Sequence, residues 1–193
     1  MQTTKYYKNK QKIINAAKHL FWKYGFRKVS VEEICKEAKL SKMTFYKFFP
    51  NKIELAKKIF EDLADEGLKQ YIEIMNSNIS IEKKIEKMLI LKKEFTKNIS
   101  KEFIMDFYKD TKLGLKDFIE QKTNEIQIES INLFKKGQEE GLYRKEIKPD
   151  FYLYMYKKMS EIFFDDELLK IYKSPNELIM EITNFFVYGI SPR

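Results

Sequence analysis

Between Ser30 and Lys52 the chain sets apolar residues at helical spacing twice, with a break of about three residues between the two runs. Val31, Ile34, Cys35 and Ala38 stand at i, i+3, i+4 and i+7, one stripe of a short helix. Ser30 followed three residues later by Glu33 is a capping box, in which hydroxyl and carboxylate each satisfy a backbone N–H that the first helical turn leaves unpaired. After Ala38-Lys39-Leu40, Ser41 can cap a second helix whose inward positions are Phe45 and Phe49. Lys42, Met43, Thr44, Tyr46 and Lys47 fall on its opposite side. So short a helix gains little by exposing that mixture unless something docks there. Two helices, a tight turn and a cationic, hydroxyl-bearing outer face describe a helix-turn-helix whose second helix enters a DNA major groove.

The same periodicity organises the flanks. A first helix is predicted from about Lys8 to Tyr24, with Ile13, Ala16, Ala17, Leu20, Phe21 and Tyr24 on one face and Gly25 as the left-handed residue that ends it. Met1 to Tyr7 reads as a loose arm, whose Lys5, with Lys8 and Lys10 following, suits a backbone phosphate and open solvent equally well. Pro50 ends the recognition helix, and Asn51 caps a fourth helix reaching about Met75. Lys52 stands in that helix's first turn, the end its dipole disfavours for a cation, so a compensating anion such as a DNA phosphate is expected there. Further helices are predicted from Ser80 to about Lys97, around Lys101 to Asp110, from about Leu113 to Glu140, from Phe151 to about Phe164, and from Ser174-Pro175 to about Tyr188. No period-2 run of β-branched residues interrupts them. The expected fold is all-α, with about nine helices.

Charge sharpens the picture. The 193-residue chain carries a formal +8, yet residues 1–58 hold 15 Lys and Arg against 4 Asp and Glu, which is +11, leaving −3 for the rest. Basicity confined to the helix-turn-helix segment is the footprint of a polyanionic partner, because each phosphate neutralised releases a counterion. The hydrophobic fraction of 44% and charged fraction of 34% suit a globular chain. Lone Cys35 gives no disulfide framework, and no apolar run approaches the ~20 residues that span a bilayer, so a cytoplasmic, nucleoid-associated protein without a membrane partner is expected. An enzyme is disfavoured. One His and one Cys make no metal cluster, and neither a glycine-rich phosphate loop nor a G-x-S-x-G elbow is present, so no catalytic residue, metal or cofactor is assigned.

Taken in order, Ile13 to Tyr24, Gly25-Phe26, Val29-Ser30-Val31 before Ile34, Ser41-Lys42-x-Thr44-Phe45-Tyr46-x-x-Phe49 and Asn51-Lys52-x-Glu54-Leu55 resemble the DNA-binding domain of TetR-type transcriptional regulators. The resemblance covers roughly the first third of the chain. It departs from the family at Lys39, where the turn usually has glycine, and at Met43, where a small residue is common. It implies a DNA-binding domain over residues 6–66, with the helix-turn-helix at about 30–49, and an effector-binding and dimerisation domain over 67–193. The implied DNA-contacting set is Ser30, Ser41, Lys42, Met43, Thr44, Tyr46, Lys47 and Lys52, with Tyr46 on a phosphate. Lys42 and Thr44 suit contacts near base edges, since lysine donates to guanine acceptors and a threonine methyl packs on thymine.

The second part offers two further surfaces. Phe151 to Phe164 is apolar on two rows, Phe151, Tyr154 and Ile162 on one and Tyr152, Met155, Met159 and Phe163 on the other; a monomer buries one and leaves a patch. The resemblance puts a two-fold dimer interface on the last two helices, here Tyr152, Met155, Met159, Phe163, Phe185 and Tyr188, and hence a palindromic double-stranded DNA operator. It also suggests a pocket for a small-molecule effector among Phe103, Phe107, Phe118 and Phe134, residues that serve equally well as ordinary core. A homodimeric, ligand-released repressor is the leading expectation. A DNA-binding protein governed by a protein partner, or a helical adaptor that binds no DNA, are the alternatives; the adaptor has no need of the basic first third.

Overall fold

A computed structural model describes residues 2–106, 114–163 and 165–192, except the side chains of 2–4 and 160. Among the described residues there are ten helices and no strand: α1 (Gln2–Tyr24), α2 (Val31–Ala38), α3 (Lys42–Phe48), α4 (Lys52–Asn76), α5 (Ile81–Thr96), α6 (Lys101–Ile104), α7 (Leu115–Glu139), α8 (Pro149–Ile162), α9 (Asp166–Ile171) and α10 (Pro175–Ile190). The all-α expectation is met. The N-terminal arm is not loose, because α1 already begins at Gln2 and Tyr6 lays its ring 4.6 Å from that of Phe48. Nor does the chain run without a helix from Phe164 to Ser174: the Asp165 carboxylate accepts the N–H groups of Glu167 and Leu168 and starts α9.

The chain divides into two compact units. The first comprises Met1–Leu63 and Asn98–Ile119, the second Ala64–Lys97 and Glu120–Arg193. In the first, α1 packs against α2, α3 and α6. Its core includes the fully buried Ile13, Ala17, Phe21, Ile34, Phe45 and Leu55.

The second unit is built on stacked aromatics. Phe134 of α7 lies 3.9 Å from Tyr152 of α8, nearly parallel, and 5.2 Å from Tyr143. Met75, Met88, Leu133, Leu142 and Ile190 complete this core. Burial pushes the Tyr71 and Tyr143 phenols upward, so both hydroxyls stay protonated and must be satisfied as neutral groups. Tyr143 Oη donates to Met88 Sδ at 3.7 Å, which leaves the Tyr71 hydroxyl to donate to Tyr143 Oη at 2.6 Å. Gly137 makes room for this arrangement, since a Cβ there would meet the Tyr143 ring at 2.4 Å. Lys84, buried, donates from Nζ to the Met75 carbonyl and to Glu140, filling a free acceptor at the end of α4.

This stack decides which row of α8 faces inward. Tyr152 and Met159, expected at a dimer interface, are buried in the chain's own core. The row left exposed is the other one, Phe151 and Tyr154, joined on α10 by Phe185 and Tyr188. Of the remaining expected interface residues, Met155 is half-buried, and Phe163 is half-buried with the Lys92 ammonium 5.2 Å from its ring centre.

Truncating Phe134 to alanine removes the ring on which both tyrosines stack and leaves a cavity, so we expect a loss of about 3–5 kcal/mol. Urea unfolding followed by tyrosine fluorescence checks this; a loss under about 1 kcal/mol would mean that the stack is not the centre of the second unit.

Candidate nucleic-acid interface

The interface is assembled from short elements that need help to form. Ser30 Oγ accepts the Glu33 N–H at 3.2 Å while Glu33 Oε2 accepts the Ser30 N–H at 2.7 Å, completing the capping box of α2. Ser30 N–H and the Ser30 hydroxyl, which also donates to Glu33 at 2.8 Å, hold the Glu33 carboxyl below its ordinary range. The Ser30 hydroxyl is therefore spent inside the chain. At the far end Lys39 takes the left-handed conformation, φ 55° and ψ 46°, and its N–H and that of Leu40 return to the carbonyls of Lys36 and Cys35. A turn that TetR-type sequences usually make with glycine is here made by lysine in left-handed backbone.

Ser41 then caps α3, accepting the Thr44 N–H at 3.2 Å, and its Oγ lies 2.9 Å from the Thr44 hydroxyl. Phe45 is fully buried and Phe49 nearly so, which fixes the roll of α3. What remains outward is Lys42, Met43, Tyr46 and Lys47, with Met43 69% and Tyr46 54% exposed. These are large apolar surfaces to leave in water on a seven-residue helix. Lys42 pairs with Glu32 of α2, and this contact raises the lysine's pKa and lowers the carboxylate's. Both side chains are more than half exposed, so screening leaves the pair little net strength and Lys42 free to exchange it for another anion.

Lys52 departs from its expected role. Its Nζ donates to the carbonyls of Phe26 at 2.7 Å and Val29 at 2.6 Å, and lies 4.2 Å from the Phe26 ring centre. Burial lowers its pKa, opposed by the carboxylates of Asp106 and Glu33. The oxygen that offsets its unfavourable place at the start of α4 comes from within the chain rather than from a phosphate. The helix itself is capped as anticipated, with Asn51 Oδ1 accepting the Glu54 N–H at 2.9 Å.

The four phenylalanines suggested as an effector pocket are distributed. Phe103 is buried with its ring 4.3 Å from that of Trp22, and Phe118 faces Phe60 at 6.3 Å, both in the first unit. Phe134 belongs to the second unit, with tyrosines on its ring, and Phe107 lies outside the described residues. A depression of about 740 Å³ in the second unit is lined by Gly141, Tyr143, Arg144, Lys145, Glu146 and Pro192, none of them among the four.

Comparison with known proteins bears on this arrangement. Residues 13–59 match the sequence profile described as bacterial regulatory proteins, tetR family. The HTH-type transcriptional regulator YuxN of Bacillus subtilis (strain 168), itself uncharacterized, is 29% identical over 96% of this chain and 66% of its own length. The likewise uncharacterized regulator YhgD of the same organism is 26% identical over 72% of each chain. Among solved structures, the fatty acid degradation regulator FadR of Bacillus halodurans superposes with a TM-score of 0.70 at 17% identity, covering 96% of this chain and 97% of that one. TetR of Rhodobacter sphaeroides gives 0.70 at 17% over 93% and 97%. FadR of Bacillus subtilis, solved with stearoyl-CoA, gives 0.69 at 16% over 93% and 98%.

Since Lys39 carries a Cβ in left-handed backbone, Lys39→Gly should stabilise the chain by about 0.5–1 kcal/mol, the relief of that strain less the entropy glycine gains when unfolded. Thermal unfolding measures it; a lowered midpoint would mean that the lysine side chain contributes more than its backbone costs.

Proposed function

We propose that the chain is a DNA-binding transcriptional regulator of the TetR family of bacterial regulatory proteins, acting as a homodimeric repressor released from a palindromic operator by a small molecule. The observation that carries the DNA-reading part is α3, whose buried Phe45 and Phe49 turn Lys42, Met43, Tyr46 and Lys47 outward from a segment of net charge +11. Inserted in a major groove, that face brings Lys42, with the half-buried Thr44 beside Ser41, near base edges, while Tyr46 and Lys47 reach phosphates. Ser30 and Ser41 then act through their caps, setting where α2 and α3 begin. Lys52 supports the interface from within.

Dimerisation is supported by the row that the core leaves out. Tyr154 is 59% exposed and Phe185 76%, with Phe151 and Tyr188 also exposed, aromatic surface on α8 and α10 that a second copy would cover. Two recognition helices related by a two-fold axis call for half-sites about one helical turn apart or somewhat more. Release follows if the effector binds better to a conformation whose recognition helices no longer match that spacing. The stearoyl-CoA in the Bacillus subtilis FadR structure makes a long-chain acyl thioester the first effector to try. Among the described residues no helix is long and apolar enough to cross a membrane, in keeping with action at the nucleoid in the cytoplasm.

Operator selection from a random duplex library, then titration at several salt concentrations, tests the DNA-reading part. The selected motif should be palindromic, and Tyr46→Ala with Lys47→Ala should weaken binding at least tenfold and flatten the salt slope by about 1. Undiminished binding would remove α3 as the reading helix. Separately, Tyr154→Glu with Phe185→Glu should convert a dimer to a folded monomer in sedimentation, whereas a Tyr152 substitution should unfold the second unit instead. A dimer that survives the glutamates would place the interface elsewhere.

A further inference from the structure

The turn joining α1 to α2, residues 25–29, is held from two sides by groups distant in sequence. From α4, Lys52 donates to the carbonyls of Phe26 and Val29. From the chain just past α6, the Asp106 carboxylate accepts the Arg27 backbone N–H at 2.8 Å, and its other oxygen lies 3.7 Å from the Arg27 guanidinium Nε. The Asp106 side chain is only 14% exposed. Its approach depends on Gly25. A Cβ at that position would meet Asp106 Oδ2 at 2.7 Å and Glu102 Cβ at 2.8 Å, quite apart from its φ of +82°. Two further contacts seat the same segment: the Ser100 N–H donates to the Trp22 carbonyl at 2.9 Å, and Trp22 packs on Phe103. All of these residues lie in the first unit.

From this geometry we infer that Asp106 is a positioning residue for DNA binding: together with Lys52 it clamps the 25–29 turn, which sets how α1 packs against α2 and α3. The inference rests on the reading of α3 as the DNA-contacting helix. Carbonyls on one side of the turn and an amide on the other are held by a cation and an anion from elsewhere in the chain. Acid and base are used according to sign: the ammonium takes acceptors, the carboxylate takes a donor. An acidic side chain inside the more basic of the two units opposes polyanion binding by charge, so any support it gives to DNA binding is geometric.

That opposition gives the experiment its discriminating sign. Removing Asp106 takes away a negative charge, so electrostatics alone would strengthen DNA binding and steepen its salt dependence. Loss of positioning would weaken it. We expect Asp106→Ala to lower affinity for the selected operator about tenfold at a temperature well below the melting midpoint, where circular dichroism shows the chain folded. Hydrogen exchange should show the Arg27 amide losing protection while the amides of α2 and α3 keep theirs. Asp106→Asn, which retains an acceptor for Arg27 N–H but not the charge, should recover part of both effects. Unchanged or tighter binding by Asp106→Ala, or unaltered Arg27 protection in both variants, overturns the inference. The Tyr46→Ala with Lys47→Ala variant separates the two ideas. If it binds normally the reading of α3 fails, and the Arg27 exchange result still decides whether the clamp exists; if only it loses binding, the reading stands and the positioning role falls.

Discussion

A seven-residue helix does not persist in water by itself, because the cost of nucleation outweighs the few hydrogen bonds that follow. Everything α3 does therefore depends on Phe45, whose complete burial exchanges ring hydration for packing under α1 and α2. That one contact fixes the roll of the helix, and roll determines which side chains face away. With Phe45 and Phe49 turned in, Lys42, Met43, Tyr46 and Lys47 have no inward alternative. The Ser41 cap sets the first turn, and the extended Phe49 before Pro50 stops the helix. The proposed recognition surface is thus the remainder of a packing solution, set in the most basic part of the chain.

The supports around this helix show the same economy with unlike materials. Lys39 does with a strained left-handed backbone what glycine does more cheaply, and its two return hydrogen bonds are the reason the strain persists. Lys52 is half-buried beside an aromatic ring and two carbonyls, an environment that lowers the pKa of an ammonium but supplies the acceptors it needs. Asp106 returns from across the chain to the neighbouring amide. The unit that holds the proposed DNA-reading helix is therefore not only the first sixty-odd residues; the segment Asn98–Ile119 packs with them. Local periodicity carries no signal for such a return. Gly25 was recognisable as a helix terminator, whereas its second duty, leaving space for an aspartate 81 residues further on, depends on tertiary contact alone.

Caps and stripes were legible where the relevant physics is local. Ser30 with Glu33, Ser41, Asn51, Ser80 and Ser174 all cap the helices they precede, because a cap is decided within three or four residues. The same signal was present at Asp165-Asp166-Glu167, where an acidic first turn precedes two leucines, and α9 could have been read from it. The start of α1 was hidden for another reason. Its first turns are polar and have no stripe, and they are helical beside an aromatic contact, Tyr6 on Phe48, that lies 42 positions away in sequence.

The register of α8 shows where periodicity must fail even when read correctly. Phe151, Tyr154 and Ile162 make one apolar row; Tyr152, Met155 and Met159 make another, and hydrophobicity ranks them almost equally. The choice is made by Phe134, on a different helix. Its nearly parallel overlap with Tyr152 gives that row flat aromatic contact, and Gly137 one turn further along α7 makes room for the Tyr143 ring, which also stacks on Phe134. The first row stays outside, with Phe151 and Tyr154 exposed as Phe185 and Tyr188 are. A helix with two competent faces is what an assembling protein requires, since one must complete the fold before the other can be offered to a partner. The division of labour follows from the order of strength: the row that gains stacking goes in, and the row that gains only cover stays outside, on the face of the proposed dimer.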